Sequence, residues 1–325
     1  MIRKLMLGTL LAALALVGCT GTEEPPLELL IAVGTEDAVV FYPAGTDEAE
    51  AVGRWELAAP VVDLARPEGE TRLWVLSPDA LAAYPLQGSR SDRGPDPVEP
   101  SVRLEPGTDC SGGTLVEGAF HLLVQCGTGV WTVALDNPVL EAVDTEDAPE
   151  GTRYLLGPDD RVVRVEPTPG GFRLVYPIGD ETLTFEAGNL VEVRGLAAAW
   201  ADEQLAVAVG DGVEDAAFYL WDAASTDPPR ASDPLRGVLE PRWIRSLPNG
   251  WAVGGAAAYL LRIKDRSDAA RSGAYLDAAV SPDGYLYLLD AGRLVVVDLL
   301  DTRLAEHERT ADGTARALVL FPTNE

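Results

Sequence analysis

The sequence predicts an all-β fold, a β-propeller of seven four-stranded blades whose ring is closed by pairing a C-terminal strand with the N-terminal blade. Three observations carry this expectation. From residue 27 onward, short apolar runs are broken by Gly, Pro, Asp and Asn, with no sustained period of 3.6 residues. A hairpin-bearing unit recurs, its second strand marked by Leu29, Leu73, Leu122, Val162, Leu205, Trp251 and Leu286, and these marks return about every 43 residues, a spacing found in propeller blades. Finally, the apolar run 315–321 has no neighbour in sequence to pair with, while the first unit lacks an innermost strand; joining the two removes two open sheet edges.

The clearest unit is 281–298, SPDGYLYLLDAGRLVVVD, in which two apolar runs flank an Ala291-Gly292 turn and an Asp283-Gly284 turn leads in. Taken in order, the first unit has runs at 29–33 and 39–42 around a Thr35-Glu36-Asp37 turn, with 54–57 as an outer strand. The second has 61–65, 73–76, 81–86 and, after a polar loop, 102–104; the third has 114–116, 121–125, 130–135 and 139–143. In the fourth, 154–156, 162–165, 172–176 and 182–185 give four strands in succession, the number a blade needs. The fifth shows 196–200, 205–209 and 218–221, and the sixth 243–247, 251–253 and 259–263. Rings of six or eight blades, or a stacked pair of β-sandwiches, stay open on this reading. The seven tryptophans mostly fall in or beside strands and are expected to fill the space between blades.

Composition bounds the partners. Asp and Glu number 52 against 25 Lys and Arg, a formal net charge of -27. That field repels nucleic acid, so no DNA- or RNA-binding role is expected. The N-terminal stretch supplies an address instead. Arg3 and Lys4 precede an apolar run at 5–17, too short for the roughly 20 residues that cross a bilayer but right for a secretory signal.

Chemistry-bearing residues are sparse. Beyond Cys19, the two cysteines Cys110 and Cys126 are centred on Gly118 in a Glu117-Gly118-Ala119 turn. A symmetric hairpin would set them opposite one another, within disulfide reach, and secretion makes oxidation plausible. His121 falls inside a strand and reads as a hydrogen-bonded structural residue, and His307 as exposed. No His-x-x-x-His, Cys-x-x-Cys, nucleophile elbow, phosphate loop or dinucleotide fingerprint is present, so no catalytic residue, metal ligand or cofactor is assigned. The carboxylate groups Asp144/Glu146/Asp147 and Asp211/Glu214/Asp215 read as solvated turns, and Asp159-Asp160 as a turn whose side chains satisfy nearby amides.

Leu16-Val17-Gly18-Cys19 resembles the bacterial lipobox. The resemblance implies cleavage before Cys19, acylation of Cys19 with diacylglycerol and a further chain such as palmitate, and a division into signal 1–18, lipidated tether 19–26 and propeller 27–325. Thr20 after the cysteine implies the outer membrane in an organism with two membranes. Ser281-Pro282-Asp283-Gly284, echoed by Ser77-Pro78-Asp79, resembles the turn of TolB-type and WD-repeat-like propellers. The aspartate and tryptophan signature of quinoprotein blades is not present in good form. The expected function is therefore a non-enzymatic, bilayer-anchored, extracytoplasmic scaffold that binds an envelope protein. The alternative is a small-molecule- or divalent-cation-binding propeller, with lactonase-like hydrolysis as one form of it.

Overall fold

A computed structural model describes residues 28–323 except 46–49, 91, 146 and 179–180. The signal, Cys19 and the tether lie outside the described residues. The chain order is β1 (Leu29–Gly34), β2 (Ala38–Pro43) and β3 (Gly53–Glu56), then β4 (Asp63–Ala65), β5 (Arg72–Leu76), β6 (Leu81–Pro85) and β7 (Val102–Leu104). There follow β8 (Thr114–Glu117), β9 (His121–Cys126), β10 (Gly129–Ala134) and β11 (Leu140–Ala142), and β12 (Arg153–Leu156), β13 (Val162–Thr168), β14 (Gly171–Ile178) and β15 (Glu181–Ala187). The fifth sheet has β16 (Gly195–Ala201), β17 (Gln204–Gly210), β18 (Ala216–Asp222) and β19 (Arg230–Leu235), and the sixth β20 (Pro241–Leu247), β21 (Gly250–Gly255), β22 (Ala258–Ile263) and β23 (Ala269–Ser272). The seventh has β24 (Asp277–Val280), β25 (Tyr285–Asp290), β26 (Arg293–Asp298) and β27 (Glu306–Thr310), and the chain returns through β28 (Ala317–Pro322).

These strands form seven four-stranded antiparallel sheets, six of them consecutive in sequence and one in the order β28-β1-β2-β3. The protein is a seven-bladed β-propeller, and the C-terminal apolar run is the innermost strand that the first unit lacked. Its register runs from Leu29↔Pro322 to Gly34↔Ala317. Among the described residues no helix is long and apolar enough to cross a membrane.

The blades cohere because second and third strands are apolar on both faces, as β1 (LLIAVG) and β17 (QLAVAVG) illustrate, and each sheet is buried between two neighbours. Trp55, Trp74, Trp221, Trp243 and Trp251 are buried in the layers between blades as expected. The Ser281-Pro282-Asp283-Gly284 turn closes through Gly284 N–H to Ser281 C=O (3.1 Å) and Tyr285 N–H to Ser281 Oγ (3.1 Å). Gly284 takes φ +90°, a left-handed conformation that a side chain would oppose.

Cys110 and Cys126 are disulfide-bonded with Cα atoms 4.5 Å apart, but not as opposed residues of a hairpin. The β8-β9 ladder pairs Thr114 with Gln125, so its centre lies beyond Gly118 and Cys110 precedes the ladder altogether. Cys110 instead sits in the crossover from the second blade, its N–H donating to Pro78 C=O at 2.8 Å, and the chain turns back through Gly113 N–H to Cys110 C=O at 2.7 Å. A Cβ at Gly113 would meet Gln125 O at 2.8 Å, so only glycine allows that turn to lie against β9. The bond thus ties a crossover to the second strand of the next blade, and the closed loop is of a length for which about 3 kcal/mol is expected.

Candidate functional site

Innermost strands have one paired edge and one edge open to the axis, and backbone N–H groups on the open edge need acceptors. Side chains from neighbouring blades supply several of them. Asp63, first residue of β4, accepts from Leu64 N–H through Oδ1 (2.8 Å) and from Leu115 N–H of β8 through Oδ2 (2.7 Å). Asp277, first residue of β24, repeats the arrangement: Oδ1 accepts from Ala278 N–H (2.8 Å) and Oδ2 from Leu318 N–H of β28 (2.9 Å). Arg245 on β20 donates to Asp277 Oδ1 (2.6 Å) and to Ala278 C=O, crossing from the sixth blade to the seventh. Arg153, first residue of β12, donates through Nε to Leu196 C=O of β16 (3.1 Å). Asp63, Asp277, Arg245 and Arg153 are therefore staples between adjacent blades.

Two adjoining cavities lie among the innermost strands. At the face where innermost strands begin, here the leading face, a cavity of about 270 Å³ is lined by Asp63, Arg153, Arg242, Arg245, Asp277 and Arg316 among others. Toward the trailing face, a cavity of about 450 Å³ is lined by Arg66, Glu117, Leu156, Trp200, Ser246 and Val280 as well as the deeper Asp63 and Asp277. Glu117 accepts a hydrogen bond from Arg66 N–H. Its carboxyl is held above the ordinary range chiefly by desolvation, against the pull of that hydrogen bond and of Arg245 and Arg66. Glu117 does present surface to the channel, but protein surrounds it on all sides, and the crowding governs its titration.

The Asp63 carboxyl is also raised. Burial first, and the Asp277 carboxylate second, push it up to about 7, despite the amides of Leu115 and Leu64 and the charge of Arg245. The folded chain holds this proton to higher pH than the unfolded chain, whose carboxyl titrates near 3.9. The stability it contributes is full below that lower value and is lost as pH rises toward about 7. Between about pH 5 and pH 8 the loss is expected to be on the order of 2 kcal/mol. Asp63→Asn keeps one acceptor for two amides, so it is expected to melt lower throughout but with a flatter dependence on pH. Thermal melts across that range would read it; an unchanged slope in the variant would remove Asp63 as the source.

A third arrangement lies on the trailing face, at the turn between β8 and β9. Asp160, in the single 3-10 turn Pro158–Asp160 of the next blade, accepts from Ala119 N–H at Oδ1 (2.7 Å) and from Phe120 N–H at Oδ2 (2.5 Å). Asp160 Oδ2 also lies 3.1 Å from His121 Nδ1, and its side chain is only 4 % exposed. A Cβ at Gly118 would meet Asp160 Oδ1 at 2.4 Å, so the clamp requires glycine there. The outcome is a rigid turn holding the Phe120 ring 71 % exposed. His121 is structural, as expected, while Asp160 serves amides of a neighbouring blade rather than those of its own turn.

The acidic stretch at Asp211 behaves as a turn, as expected: Asp211 Oδ1 accepts from Val213 N–H (2.9 Å) and Glu214 N–H (3.0 Å). Among the described residues no three of His, Cys, Asp and Glu gather as a metal site. His307 is exposed on β27, as expected. Sequence reasoning singled out none of Asp63, Arg153, Arg242, Arg245 and Asp277, because they come from four innermost strands far apart in the chain, β4, β12, β20 and β24. The one local signal was the repeated pattern of Asp opening a short small-apolar strand, Asp63-Leu64-Ala65 and Asp277-Ala278-Ala279.

Among solved structures, apo AztD from Citrobacter koseri is similar over 92% of this chain and 99% of its own, with TM-score 0.56 and 13% identity. A candidate 6-phosphogluconolactonase from Bacteroides fragilis matches over 92% of this chain and 99% of its own, with TM-score 0.65 and 10% identity. Another from Bacteroides uniformis gives TM-score 0.64 and 10% identity over 90% and 99%. The likeness is one of fold. No family model and no curated protein matches the chain.

Proposed function

We propose that this propeller is a non-enzymatic, extracytoplasmic interaction protein, tethered to a membrane of the cell envelope through an acylated Cys19, that docks an envelope protein on its trailing face. The observation that carries this reading is the clamped Phe120. Covering an exposed aromatic ring is favourable, and here the backbone beneath it is fixed by the N–H groups of Ala119 and Phe120 donating to the Asp160 carboxylate of the next blade. Rigid, exposed aromatic side chains make strong interface anchors because little ordering is left to do on binding. The carboxylates of the channel support the same reading, since both oxygens of Asp63 and of Asp277 already hold backbone amides.

The test is a photo-crosslinking amino acid in place of Phe120, in living cells, with the same substitution at Leu300 on another trailing-face loop for comparison. One dominant envelope partner is expected from position 120, lost from the membrane fraction with Cys19→Ala. Equal labelling of many proteins at both positions would sink the reading, as would reproducible turnover by the purified protein.

A second reading, small-molecule binding in the channel with lactonase-like chemistry as one form, draws support from the fold shared with the two candidate 6-phosphogluconolactonases. Lactone hydrolysis that disappears on mutating Glu117 would favour it over the scaffold.

A further inference from the structure

We propose that the leading mouth of the channel binds a small oxyanion, the carboxylate or phosphate group of a soluble molecule, held by the guanidinium groups of Arg153 and Arg242 with Arg316 at the rim. The argument begins with charge. In a chain carrying 52 acidic and 25 basic side chains, an arginine would be expected to find a carboxylate, and Arg54, Arg72, Arg173, Arg262 and Arg293 do. Arg153 and Arg242 do not form an ion pair among the described residues, and both line one cavity of about 270 Å³. They reach it from separate blades, Arg153 opening β12 and Arg242 second in β20.

The carboxylates in the same cavity are committed elsewhere. Asp63 accepts from the amides of Leu64 and Leu115, and Asp277 from those of Ala278 and Leu318 together with Arg245. The cavity therefore has four guanidiniums, counting Arg245 and Arg316, against two carboxylates whose oxygens face backbone. Arg316 is shared with exposed Glu36 at 3.1 Å, a contact weak enough in water for an incoming anion to displace. Among the described residues the Arg153 side chain spends only its Nε, on Leu196 C=O. Neighbouring protein lowers the guanidinium's hold on its proton by desolvation, while the residue keeps a surface open to solvent. Arg153, Arg242 and Arg316 are exposed at the mouth, and a planar fork of donors there suits the two oxygens of a carboxylate or phosphate. The strongly acidic remainder of the surface would exclude anions everywhere else, so the mouth is also selective by contrast.

Calorimetric titration of the full chain with citrate and with inorganic phosphate, at low ionic strength and again at physiological salt, tests this. Saturable binding of at least one probe is expected, weakened about tenfold or more by Arg242→Gln and by Arg153→Gln, and unaffected by Arg230→Gln on the outer strand β19. Preference for citrate identifies a carboxylate ligand and preference for phosphate a phosphoryl one. Among the described residues the Arg242 side chain makes no hydrogen bond or ion pair, so its variant keeps the test sound if loss of the Arg153 staple perturbs folding. No binding of either probe, or equal binding in the Arg242→Gln variant, overturns the proposal. Neither result bears on crosslinking at Phe120, which lies on the opposite face.

Discussion

Deletion of Ala317–Pro322 is expected to abolish the folded state, although it removes only six residues. β28 pairs with β1 along its whole length and buries Ala317, Leu318 and Phe321, with the Phe321 ring edge-on to Phe41 at 5.9 Å. At roughly 1.5 to 3 kcal/mol for each large buried side chain, with the ladder besides, the loss is about 6 kcal/mol or more. That is comparable to the whole stability of an ordinary domain, about 5–15 kcal/mol. The deletion also takes the Leu318 amide from Asp277 Oδ2 and leaves β1 as an open apolar edge prone to self-association. Far-UV circular dichroism and size-exclusion chromatography of the truncated chain would show it. Restoration by a synthetic peptide spanning 312–323 is expected, and a truncated chain that stays monomeric with a native melt would refute the closure argument.

Trp221→Ala carries the next largest effect, a loss of about 3–5 kcal/mol. Trp221 lies on β18, only 2 % exposed, and fills the layer between the fourth and fifth blades. Its ring meets Tyr176 at 4.9 Å, Phe185 at 5.8 Å and Trp200 at 6.2 Å, and its Nε1 donates to Asp227 C=O at 2.9 Å. Removing it opens a cavity that sheets stapled into a ring cannot collapse to fill. Trp221→Phe keeps most of the ring contacts and is expected to cost less than half as much. Urea denaturation followed by circular dichroism measures both; equal midpoints for Trp221→Ala and the wild type would show that the inter-blade layer is not where stability resides.

Much of this architecture was legible in the sequence because second and third strands are apolar throughout and return at a steady interval. The strands that escaped notice are β19 (RASDPL), β23 (AARS) and β27 (EHERT). These are outermost, exposed strands, whose polar residues carry no hydrophobic pattern to read, although their backbones complete the ladders. β24 was missed for a different reason: DAAV is short, and its alanines suit the crowded axis rather than a recognisable apolar run. The C-terminal strand was legible from need, an apolar segment without a partner beside a blade without an innermost strand. The disulfide was legible as a pair but not in its cause, since the hairpin centre depends on a register that Cys110 never enters. The charged axis was least visible. Arg153, Arg242, Asp63 and Asp277 are strangers along the chain, and only closing the ring makes them neighbours.

The pairing of Leu29 with Pro322 has a topological consequence. Opposed residues of an antiparallel ladder lie about 5 Å apart, so the first and last strand positions meet at one point on the trailing face, and a short peptide could splice them without moving either. Once spliced, the backbone would be a closed circle, and any exposed turn could be cut to give a permuted chain with the same blades in the same cyclic order. Where the polypeptide starts is thus a choice of phase on a circle, and the fold itself has no first blade.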